Sequence, residues 1–429
     1  MPGVAMTMAG LSETVFTWGA PALVFGRGAF EEIGHHATTL GLRRVAIVTD
    51  PVLAGLGLAD RAGGLLDDAG IKSAAFTDVH IEPTDTSLAN AGAWAREARP
   101  DGYLAIGGGS VIDTAKAMNL LATNDGDLTE YLNPPIGAGR APTRQLAPLI
   151  AVPTTAGTGS ESTPVCIVGI QALHLKTGIS HPALRPSLAI VDPLLTASLP
   201  RNVTVASGMD VLCHALESYT ARPFDQRPGV DNPAARPAYN GANPISDIWA
   251  TEALRLLGRY FRRVVEQPDD VDAREGMMRA ATFAGIGFGN AGVHLPHACA
   301  YPIAGLVREY HAPGYPGSEP LVPHGLAVVA TAPAAFRFTY PTSPVRHGEA
   351  ARLLGHDHRG EPIDALPEAV EALCRDLDAP RGLAAFGYGD GDVDAIVEGA
   401  FAQQRLLAVS PRPVTRADLA AIVGQSLNS

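Results

Sequence analysis

One aspartate and three histidines have the residue types and the spacing needed to hold a metal ion. Asp210 and His214 lie four residues apart in a stretch with helical character, so both side chains point to one face of a helix. His297 and His324 come later in the chain and could complete a site of one carboxylate and three imidazoles. Such nitrogen and oxygen ligation suits Fe(II), Zn, Co or Ni.

Each of these residues also has a structural interpretation. Asp210 could be the acid of a capping box that begins at a serine three residues earlier. His214 could be a core histidine that donates to a carbonyl group, and His324 precedes a glycine in a turn. His294 lies three residues before His297, so either of the two could be the ligand.

A glycine-rich loop upstream is typical of a nucleotide site. Gly107, Gly108, Gly109 and Ser110 follow a predicted strand and open a predicted helix. Glycine lets the backbone approach a pyrophosphate closely, and a helix N-terminus favours negative charge. The loop does not have the GxGxxG pattern, and an ordinary strand-to-helix turn is the alternative.

Two further features strengthen the nucleotide interpretation. Asp50 ends an early strand, where its carboxylate could accept from a ribose hydroxyl and repel a 2′-phosphate, which favours NAD over NADP. The alternative for Asp50 is a turn residue before Pro51. The segment 153–161 (PTTAGTGSE) also follows a strand, and it places several hydroxyls near the predicted domain junction: Thr154, Thr155, Thr158 and Ser160.

The elements that must position these residues divide the chain in two. Apolar, β-branched runs alternate with amphipathic helical stretches up to about residue 195, which predicts a doubly wound parallel α/β sheet. Helical spacing predominates afterwards, so we predict a dinucleotide-binding domain over 1–197 and an all-helical metal-binding and substrate domain over 198–429. The predicted strands are 45–50, 74–79, 103–109, 149–154 and 187–193. The predicted helices are 85–98, 110–122, 245–261, 273–288, 364–378 and 390–405, and the predicted long loops are 222–243 and 309–323.

Composition and charge exclude several classes of protein. The 429 residues carry a net charge of -12 and no run of lysine or arginine, which argues against a nucleic-acid partner. No apolar run is long enough to cross a membrane. Residues 1–26 contain Glu13 and no arginine or lysine, unlike signal or transit peptides, so we expect a cytoplasmic protein.

The motifs together resemble those of the iron-containing (group III) alcohol dehydrogenases. The similar segments are GGGSVIDTAKA, PTTAGTGSE, GMDVLCHALESY and PHG, and the match covers nearly the whole chain. The segments ARPAYNGANPISDIWA and FAGIGFGNAGVHLPHACAYPIAGLV look like the hydroxyacid-oxoacid transhydrogenase branch of that family. The resemblance implies the dehydroquinate synthase-like fold, with a Rossmann-like N-terminal domain, an all-α C-terminal domain and the active site between them.

The resemblance also assigns residues by position. It implies that Asp210, His214, His297 and His324 bind the metal and form the catalytic centre. A histidine that the family often uses in proton relay is replaced here by Tyr301, and Ala298 replaces a glycine, which leaves any relay unassigned. The positions implied to contact the nucleotide are Asp50, Gly107, Gly108, Gly109, Ser110, Asp113, Thr154, Thr155, Ser160 and Lys176.

The activity implied by the resemblance is hydride transfer through bound NAD. 4-Hydroxybutyrate would become succinate semialdehyde while 2-oxoglutarate becomes D-2-hydroxyglutarate, with Fe(II), Zn or another divalent ion activating the oxygen. The alternatives are an ordinary NAD-dependent alcohol or 4-hydroxybutyrate dehydrogenase and a non-catalytic nucleotide- or metal-binding protein. We expect a homodimer that acts on small molecules. Arg308, Arg236 and Arg185 are candidates for binding the substrate carboxylate.

Overall fold

A six-stranded parallel sheet forms the centre of the N-terminal half. The computed structural model describes residues 12–173, 175–317 and 319–428. The strand order is β1-β8-β5-β4-β2-β3, and β6 and β7 form a separate antiparallel pair. The strands are β1 (Ala22–Phe25), β2 (Arg44–Val48), β3 (Lys72–Phe76), β4 (Gly102–Gly107), β5 (Leu149–Pro153), β6 (Val165–Ile170), β7 (Leu175–Ser180) and β8 (Leu188–Val191).

The strand pattern follows from burial on both faces of the sheet. Strands β4, β5 and β8 are buried at every residue, which explains their continuous apolar runs. All five predicted strands are confirmed, as β2, β3, β4, β5 and β8. Strand β1 at the sheet edge and the β6–β7 hairpin were not predicted.

Helices cover the sheet and connect its strands, as a doubly wound fold requires. The long helix α5 begins immediately after β4, so its N-terminus lies at the carboxyl edge of the sheet. These helices are α1 (Ile33–Thr39), α2 (Pro51–Gly55), α3 (Leu58–Asp68), α4 (Asp85–Ala98), α5 (Gly109–Thr123) and α6 (Leu128–Tyr131).

The remainder of the chain is helical, and its described residues contain no strand longer than an isolated bridge. Helices α7, α8 and α9 pack together at its centre. The helices are α7 (Arg201–Thr220), α8 (Pro244–Glu266), α9 (Val271–Ala291), α10 (Leu295–Gly305), α11 (His324–Val329), α12 (Ala332–Thr339), α13 (Pro344–Leu353), α14 (Ala365–Asp376), α15 (Val393–Phe401), α16 (Gln404–Leu407) and α17 (Arg416–Gln425).

The predicted fold class, a Rossmann-like domain followed by an all-helical part, is confirmed. The helix predicted over 390–405 is divided into α15 and α16, because the chain leaves helical conformation between them. Strand β8 ends at Val191 and α7 begins at Arg201, and a domain boundary after residue 197 stays a prediction. Within the described part of the chain, no helix combines the length and apolarity needed to span a membrane.

Candidate active site

Helix α7 carries three acidic or imidazole side chains along one buried face. Asp210 and His214 are one turn apart, and Glu217 follows three residues later. All three are buried because α8, α9 and α11 pack around this helix. Asp210 lies in the middle of α7 and far from its first turn, so it does not act as the acid of a capping box.

The remaining predicted donors come from the first turns of two other helices. His297 lies on α10, and His324 is the first residue of α11. The Nε2 atoms of His214, His297 and His324 lie 3.5, 3.5 and 3.9 Å from Asp210 Oδ1. Donors that share one ion at about 2.1 Å in tetrahedral geometry are separated by about 3.4 Å. The donor atoms of Asp210, His297 and His324 all lie within 4.8 Å of one another and fit a single cation, and His214 lies next to this group through Asp210.

Three of the four donors are already in the chemical state that a cation requires. In the fourth, His297, the carboxylates of Glu217 and Asp210 outweigh burial and raise the pKa to about 9, so its Nε2 must lose a proton when a cation binds. Asp210 Oδ1 and His297 Nε2 are buried and have no hydrogen-bond partner, an arrangement that is costly unless another group satisfies them. Burial lowers the pKa of His214 to about 3 and the pKa of His324 to about 4, so both rings are neutral near pH 7 and keep a free lone pair. The residues present therefore fit a divalent metal ion.

Glu217 orients His297 within this cluster and was not identified from the sequence. Its fully buried carboxylate accepts a hydrogen bond from Nδ1 of His297 and another, of 2.7 Å, from the backbone N–H of His294. A carboxylate behind a metal-binding histidine fixes the ring tautomer and raises the basicity of the ligand. The signal available in the sequence was the spacing of Glu217, two helical turns after Asp210.

His294, the alternative to His297, lies outside the donor cluster. Its Nε2 atom is 3.1 Å from Oγ1 of Thr220, and its ring packs edge-on against Phe336. Burial lowers the pKa of His294 to about 4. The structure therefore brings together His297, rather than His294, with the other three predicted ligands.

His324 reaches Asp210 because α11 lies directly against the backbone of α7. A Cβ atom added to Gly325 would lie 2.0 Å from the carbonyl oxygen of Ala206 and 2.7 Å from the backbone nitrogen of Asp210. Only glycine leaves room for this approach. The residue after His324 thus sets the distance between the two helices.

A cleft of about 310 Å³ extends from the carboxyl edge of the sheet to the donor cluster. Both Asp210 and His324 line it at one end. At the other end, the N-terminus of α5 has no side-chain cap, which leaves its first N–H groups available for a phosphate. Six of the ten residues predicted to contact a nucleotide line this cleft: Asp50, Gly108, Gly109, Ser110, Thr154 and Thr155.

Asp50 caps a helix and also lines the cleft. Its Oδ1 atom accepts hydrogen bonds of 2.9 Å from the N–H groups of Val52 and Leu53, so it caps α2. The same side chain lines the nucleotide-sized cleft. Since both capping bonds go to Oδ1, the second oxygen can face a ligand.

Gly107, Asp113, Ser160 and Lys176 lie outside this cleft. Gly107 ends β4 and packs against Val111, whereas the other three line a smaller cavity that adjoins the cleft at Ser110 and Asp210. Lys176 forms an ion pair with Glu82. These four residues are therefore not grouped with the six that line the cleft.

Asp113 and Ser160 belong to a buried network around Lys116, a residue that the sequence did not single out. Lys116 Nζ donates to Ser160 Oγ and to the carbonyl oxygen of Val165, both at 2.7 Å. Asp113 accepts a hydrogen bond from Ser160 and another, of 2.8 Å, from the N–H of Ile167. The network joins α5 to the loop before β6 and to β6 itself, and so fixes one wall of the smaller cavity.

This smaller cavity, of about 140 Å³, contains all four predicted metal ligands in its lining. Tyr239, Tyr301 and Phe288 supply much of the remaining wall. The ring of Tyr301 lies 6.1 Å from that of His324, centroid to centroid. Its size and its position beside the donors suit a small substrate, and we call it the substrate cavity.

The three arginines considered as carboxylate ligands do not line either cavity. Arg308 is exposed and pairs with Asp392, and Arg236 pairs with the buried Glu13. Arg185 donates to the backbone carbonyl of Ser162 at 3.1 Å. Each of them is thus already engaged within the protein.

Comparison with known proteins identifies both parts of the chain. Residues 20–193 match the family model of iron-containing alcohol dehydrogenase, and residues 238–427 match that of the Fe-containing alcohol dehydrogenase family, C-terminal. The chain is 46% identical over 422 residues to the mitochondrial hydroxyacid-oxoacid transhydrogenase of Bos taurus. The aligned region covers 97% of this chain and 91% of the bovine protein.

The predicted cytoplasmic location is wrong by the same comparison. The bovine relative is named as mitochondrial, as are the human and Caenorhabditis elegans proteins. The prediction depended on the residue types in 1–26, of which residues 1–11 lie outside the described part of the chain. A lack of arginine there is weak evidence, because targeting is a property of a short removable segment and not of the folded domain.

Solved structures share the whole fold. A 1,3-propanediol oxidoreductase superposes with a TM-score of 0.83 at 30% identity, covering 96% of this chain and all of that one (100%). A sulfoacetaldehyde reductase from Bifidobacterium kashiwanohense, solved in complex with NAD+, gives a TM-score of 0.80 at 28% identity, covering 97% and 100%. With both family models matched and a shared fold, the chain belongs to the iron-containing alcohol dehydrogenase family and is an oxidoreductase that acts on CH–OH groups.

Proposed function

We propose that this protein is a hydroxyacid-oxoacid transhydrogenase that oxidises 4-hydroxybutyrate to succinate semialdehyde and reduces 2-oxoglutarate to D-2-hydroxyglutarate. The observation that carries the proposal is that the cleft and the substrate cavity share both the α5 N-terminus, at Gly109 and Ser110, and the donors Asp210 and His324. A nicotinamide in the cleft and a hydroxyl group in the cavity would therefore be neighbours. The bovine relative named as a transhydrogenase, similar over nearly the whole chain, supports the narrower assignment.

In this proposal Asp210, His214, His297 and His324 hold Fe(II), although the same donors would accept Zn or another divalent ion. When bound, such an ion supplies Lewis-acid chemistry that lowers the pKa of a hydroxyl and polarises a carbonyl. Glu217 keeps Nε2 of His297 directed at Asp210. Because Asp210, His214 and His297 are buried, they shield one side of the reacting carbon from bulk water, whereas His324 is partly exposed and faces the cleft.

The nucleotide in this proposal is NAD. The free N–H groups at the start of α5, beside Gly108, Gly109 and Ser110, bind the pyrophosphate. Asp50 at the far end of the cleft binds the ribose hydroxyls through Oδ2 and disfavours a 2′-phosphate. Thr154 and Thr155 supply hydroxyls to the same wall.

Gly107, Asp113, Ser160 and Lys176 stay in the proposed nucleotide set although they lie outside the cleft, because Gly107 precedes the loop and the other three line the adjoining cavity. Asp113 and Ser160 hold the wall of the substrate cavity through Lys116, and Lys176 lines the cavity together with Glu82.

We further propose a division into domains after residue 197 and a homodimer without nucleic-acid or membrane partners. Light scattering of the purified protein tests the dimer.

Transhydrogenation requires the reduced nucleotide to pass its hydride to the carbonyl of the second substrate before the nucleotide dissociates. One hydride leaves C4 of 4-hydroxybutyrate, and an equivalent hydride arrives at C2 of 2-oxoglutarate, so NAD is unchanged overall. An ordinary dehydrogenase would instead release NADH in each turnover. The solved oxidoreductase and reductase with this fold make that the second candidate.

The test uses the full-length protein freed of loose nucleotide and reloaded with Fe(II). It is incubated with 2-oxoglutarate and with 4-hydroxybutyrate deuterated at C4, without added NAD, and the products are followed by mass spectrometry. Equal and catalytic formation of semialdehyde and of 2-hydroxyglutarate deuterated at C2 supports the proposal. Product that forms only with added NAD, together with NADH that accumulates without 2-oxoglutarate, identifies an ordinary dehydrogenase, and no product in either case refutes the substrates. The Asp210→Ala variant is the control for catalysis by this site.

A further inference from the structure

Arg405, on the short helix α16, has a guanidinium nitrogen with no acceptor. Its Nη1 atom is out of contact with solvent and has no hydrogen-bond partner. None of the ion pairs found among the described residues includes Arg405. Arg405 is half-buried as a whole, but a charged nitrogen shielded from water without an acceptor is unfavourable, which indicates a missing anionic partner.

Arg405 lies directly behind the wall of the substrate cavity. Its guanidinium carbon is 4.7 Å from the ring centroid of Tyr239, and Tyr239 lines the cavity together with Tyr301. Helix α16 packs against α10, which carries both Tyr301 and His297. Gln403, two residues before Arg405, donates a 3.1 Å hydrogen bond to the carbonyl oxygen of Lys176, which holds this segment against β7.

The two tyrosines keep Arg405 charged. Burial lowers the pKa of the guanidinium, but interactions with the hydroxyls of Tyr239 and Tyr301 outweigh burial and raise the pKa above its ordinary value. The charge and the two hydroxyls are therefore next to one another, with the tyrosines lining the cavity and Arg405 behind them. The hydroxyls satisfy part of the guanidinium, and Nη1 remains without an acceptor.

The other cations near the cavity already have partners. Lys176 lines it but pairs with Glu82, and Lys116 donates to Ser160, Thr163 and the carbonyl of Val165. Among the described residues that line or support this cavity, Arg405 is thus the cation with an unused donor.

We propose that Arg405, with the hydroxyls of Tyr239 and Tyr301, forms the subsite that binds the substrate carboxylate. This inference rests on the proposed function, which requires the enzyme to select acids over neutral alcohols. In 4-hydroxybutyrate two methylene groups separate the reacting carbon from the carboxylate, and in 2-oxoglutarate two methylene groups separate the reacting carbon from the distal carboxylate. One subsite at a fixed distance from the metal ligands therefore serves both half-reactions.

The experiment compares 4-hydroxybutyrate with 1,4-butanediol, in which a neutral hydroxymethyl group replaces the carboxylate. The Arg405→Gln variant is expected to lower kcat/KM for the acid roughly 10- to 100-fold, mainly through KM, because a charge-assisted hydrogen bond is lost. The kcat/KM of this variant for 1,4-butanediol is expected to stay within about twofold of the value for the unchanged protein. Arg405→Lys, which keeps the charge, should give an intermediate loss. Arg308→Gln removes an exposed arginine of the same type and is the matched control.

The ratio of the kcat/KM values for the two substrates, measured in one protein, separates a loss of carboxylate binding from a loss of folded protein. An equal loss for both substrates in Arg405→Gln would assign Arg405 a structural role and overturn the proposal, as would no loss for either. Butyrate binding to the NAD-loaded protein, measured by isothermal titration, gives a readout that does not depend on turnover. A tenfold weaker affinity in Arg405→Gln supports the subsite even if the transhydrogenase assignment fails, and unchanged affinity refutes it.

Discussion

Glu217 accepts the Nδ1–H of His297, and this bond leaves Nε2 of the ring facing Asp210. The carboxylate does not belong to the proposed ligand set, yet it determines which nitrogen His297 presents. Its position in the centre of α7 also brings it to the backbone N–H of His294. One buried acid thus fixes the start of α10 and the orientation of a ligand at the same time.

The Glu217→Gln variant tests this arrangement. It is expected to weaken metal binding about 10- to 100-fold, because the neutral amide no longer fixes the tautomer or supports the basicity of His297. Competition with a chromogenic chelator measures the affinity. The control is Glu252→Gln, an exposed glutamate on α8 that pairs with Arg255. Equal metal affinity in the two variants would contradict the role given to Glu217.

At the residue scale, the sequence singled out the proposed ligands but not the groups that support them. Asp210, His214, His297 and His324 were singled out by type, spacing and resemblance, and the structure places them together. Glu217, Lys116 and Arg405 could not be recognised, because an isolated charge in a sequence resembles any solvated side chain. Only the packing of α7, α5 and α16 shows which groups surround them.

At the scale of elements, the contact between α11 and α7 at Gly325 controls the geometry of the site. We expect Gly325→Ala to destabilise the protein by about 1–3 kcal/mol, since the added methyl would overlap backbone atoms of Ala206 and Asp210. It should also weaken metal binding, because α11 must move away with His324. Thermal unfolding and metal titration measure the two effects.

Gly348→Ala is the matched control for this prediction. Gly348 lies on α13, where an added Cβ would meet no atom within 4 Å. Alanine should stabilise a helix interior there by about 0.5–1 kcal/mol relative to glycine. A Gly325→Ala protein as stable and as metal-competent as Gly348→Ala would show that the helix contact is not essential.

The predicted elements were correct where burial produces a simple pattern. Strands β4 and β5 are apolar at every position because helices cover both faces of the sheet. Strand β1 is short and partly exposed at the edge, so its sequence lacks such a run. The hairpin of β6 and β7 contains Gly169 and Gly178 and does not alternate regularly, so periodicity could not reveal it.

At the scale of the whole molecule, the pH dependence of stability should include a contribution from Glu161. Burial raises the pKa of this carboxyl from 4.5 to about 7. Between these values the unfolded chain releases the proton first, so the free energy of unfolding falls as pH rises, by on the order of 3 kcal/mol. Below pH 4.5 the carboxyl is protonated in both the folded and the unfolded state, so it no longer contributes to the pH dependence of the unfolding free energy.

The Glu161→Gln variant should lose this part of the pH dependence. Denaturant unfolding at intervals from pH 4.5 to 7.5 measures it, with the exposed Glu266→Gln as control. The difference in unfolding free energy between Glu161→Gln and the unchanged protein is expected to grow with pH over this range. A constant difference would contradict the assignment.

Metal removal should affect the helical half as a unit. The proposed ligands lie on α7, α10 and α11, so an ion bound there connects three helices. Chelation should increase hydrogen exchange in all three while the amides of β4 and β5 remain protected, because ligand binding stabilises the state that holds the site together. Exchange that rises equally in the sheet would contradict this view.

The position of β8 in the sheet has a consequence for synthesis on the ribosome. Strand β1 pairs only with β8 in the parallel sheet, and β8 is also the neighbour of β5. The first strand to emerge must therefore wait, without its partner, until Val191 has left the exit tunnel. From then on every strand of the sheet is available, although Asp210 has not yet appeared and His324 follows only much later. A nascent chain can thus finish its parallel sheet before it acquires any of the proposed metal ligands, and the supply of metal ion would influence only the later stages of its maturation.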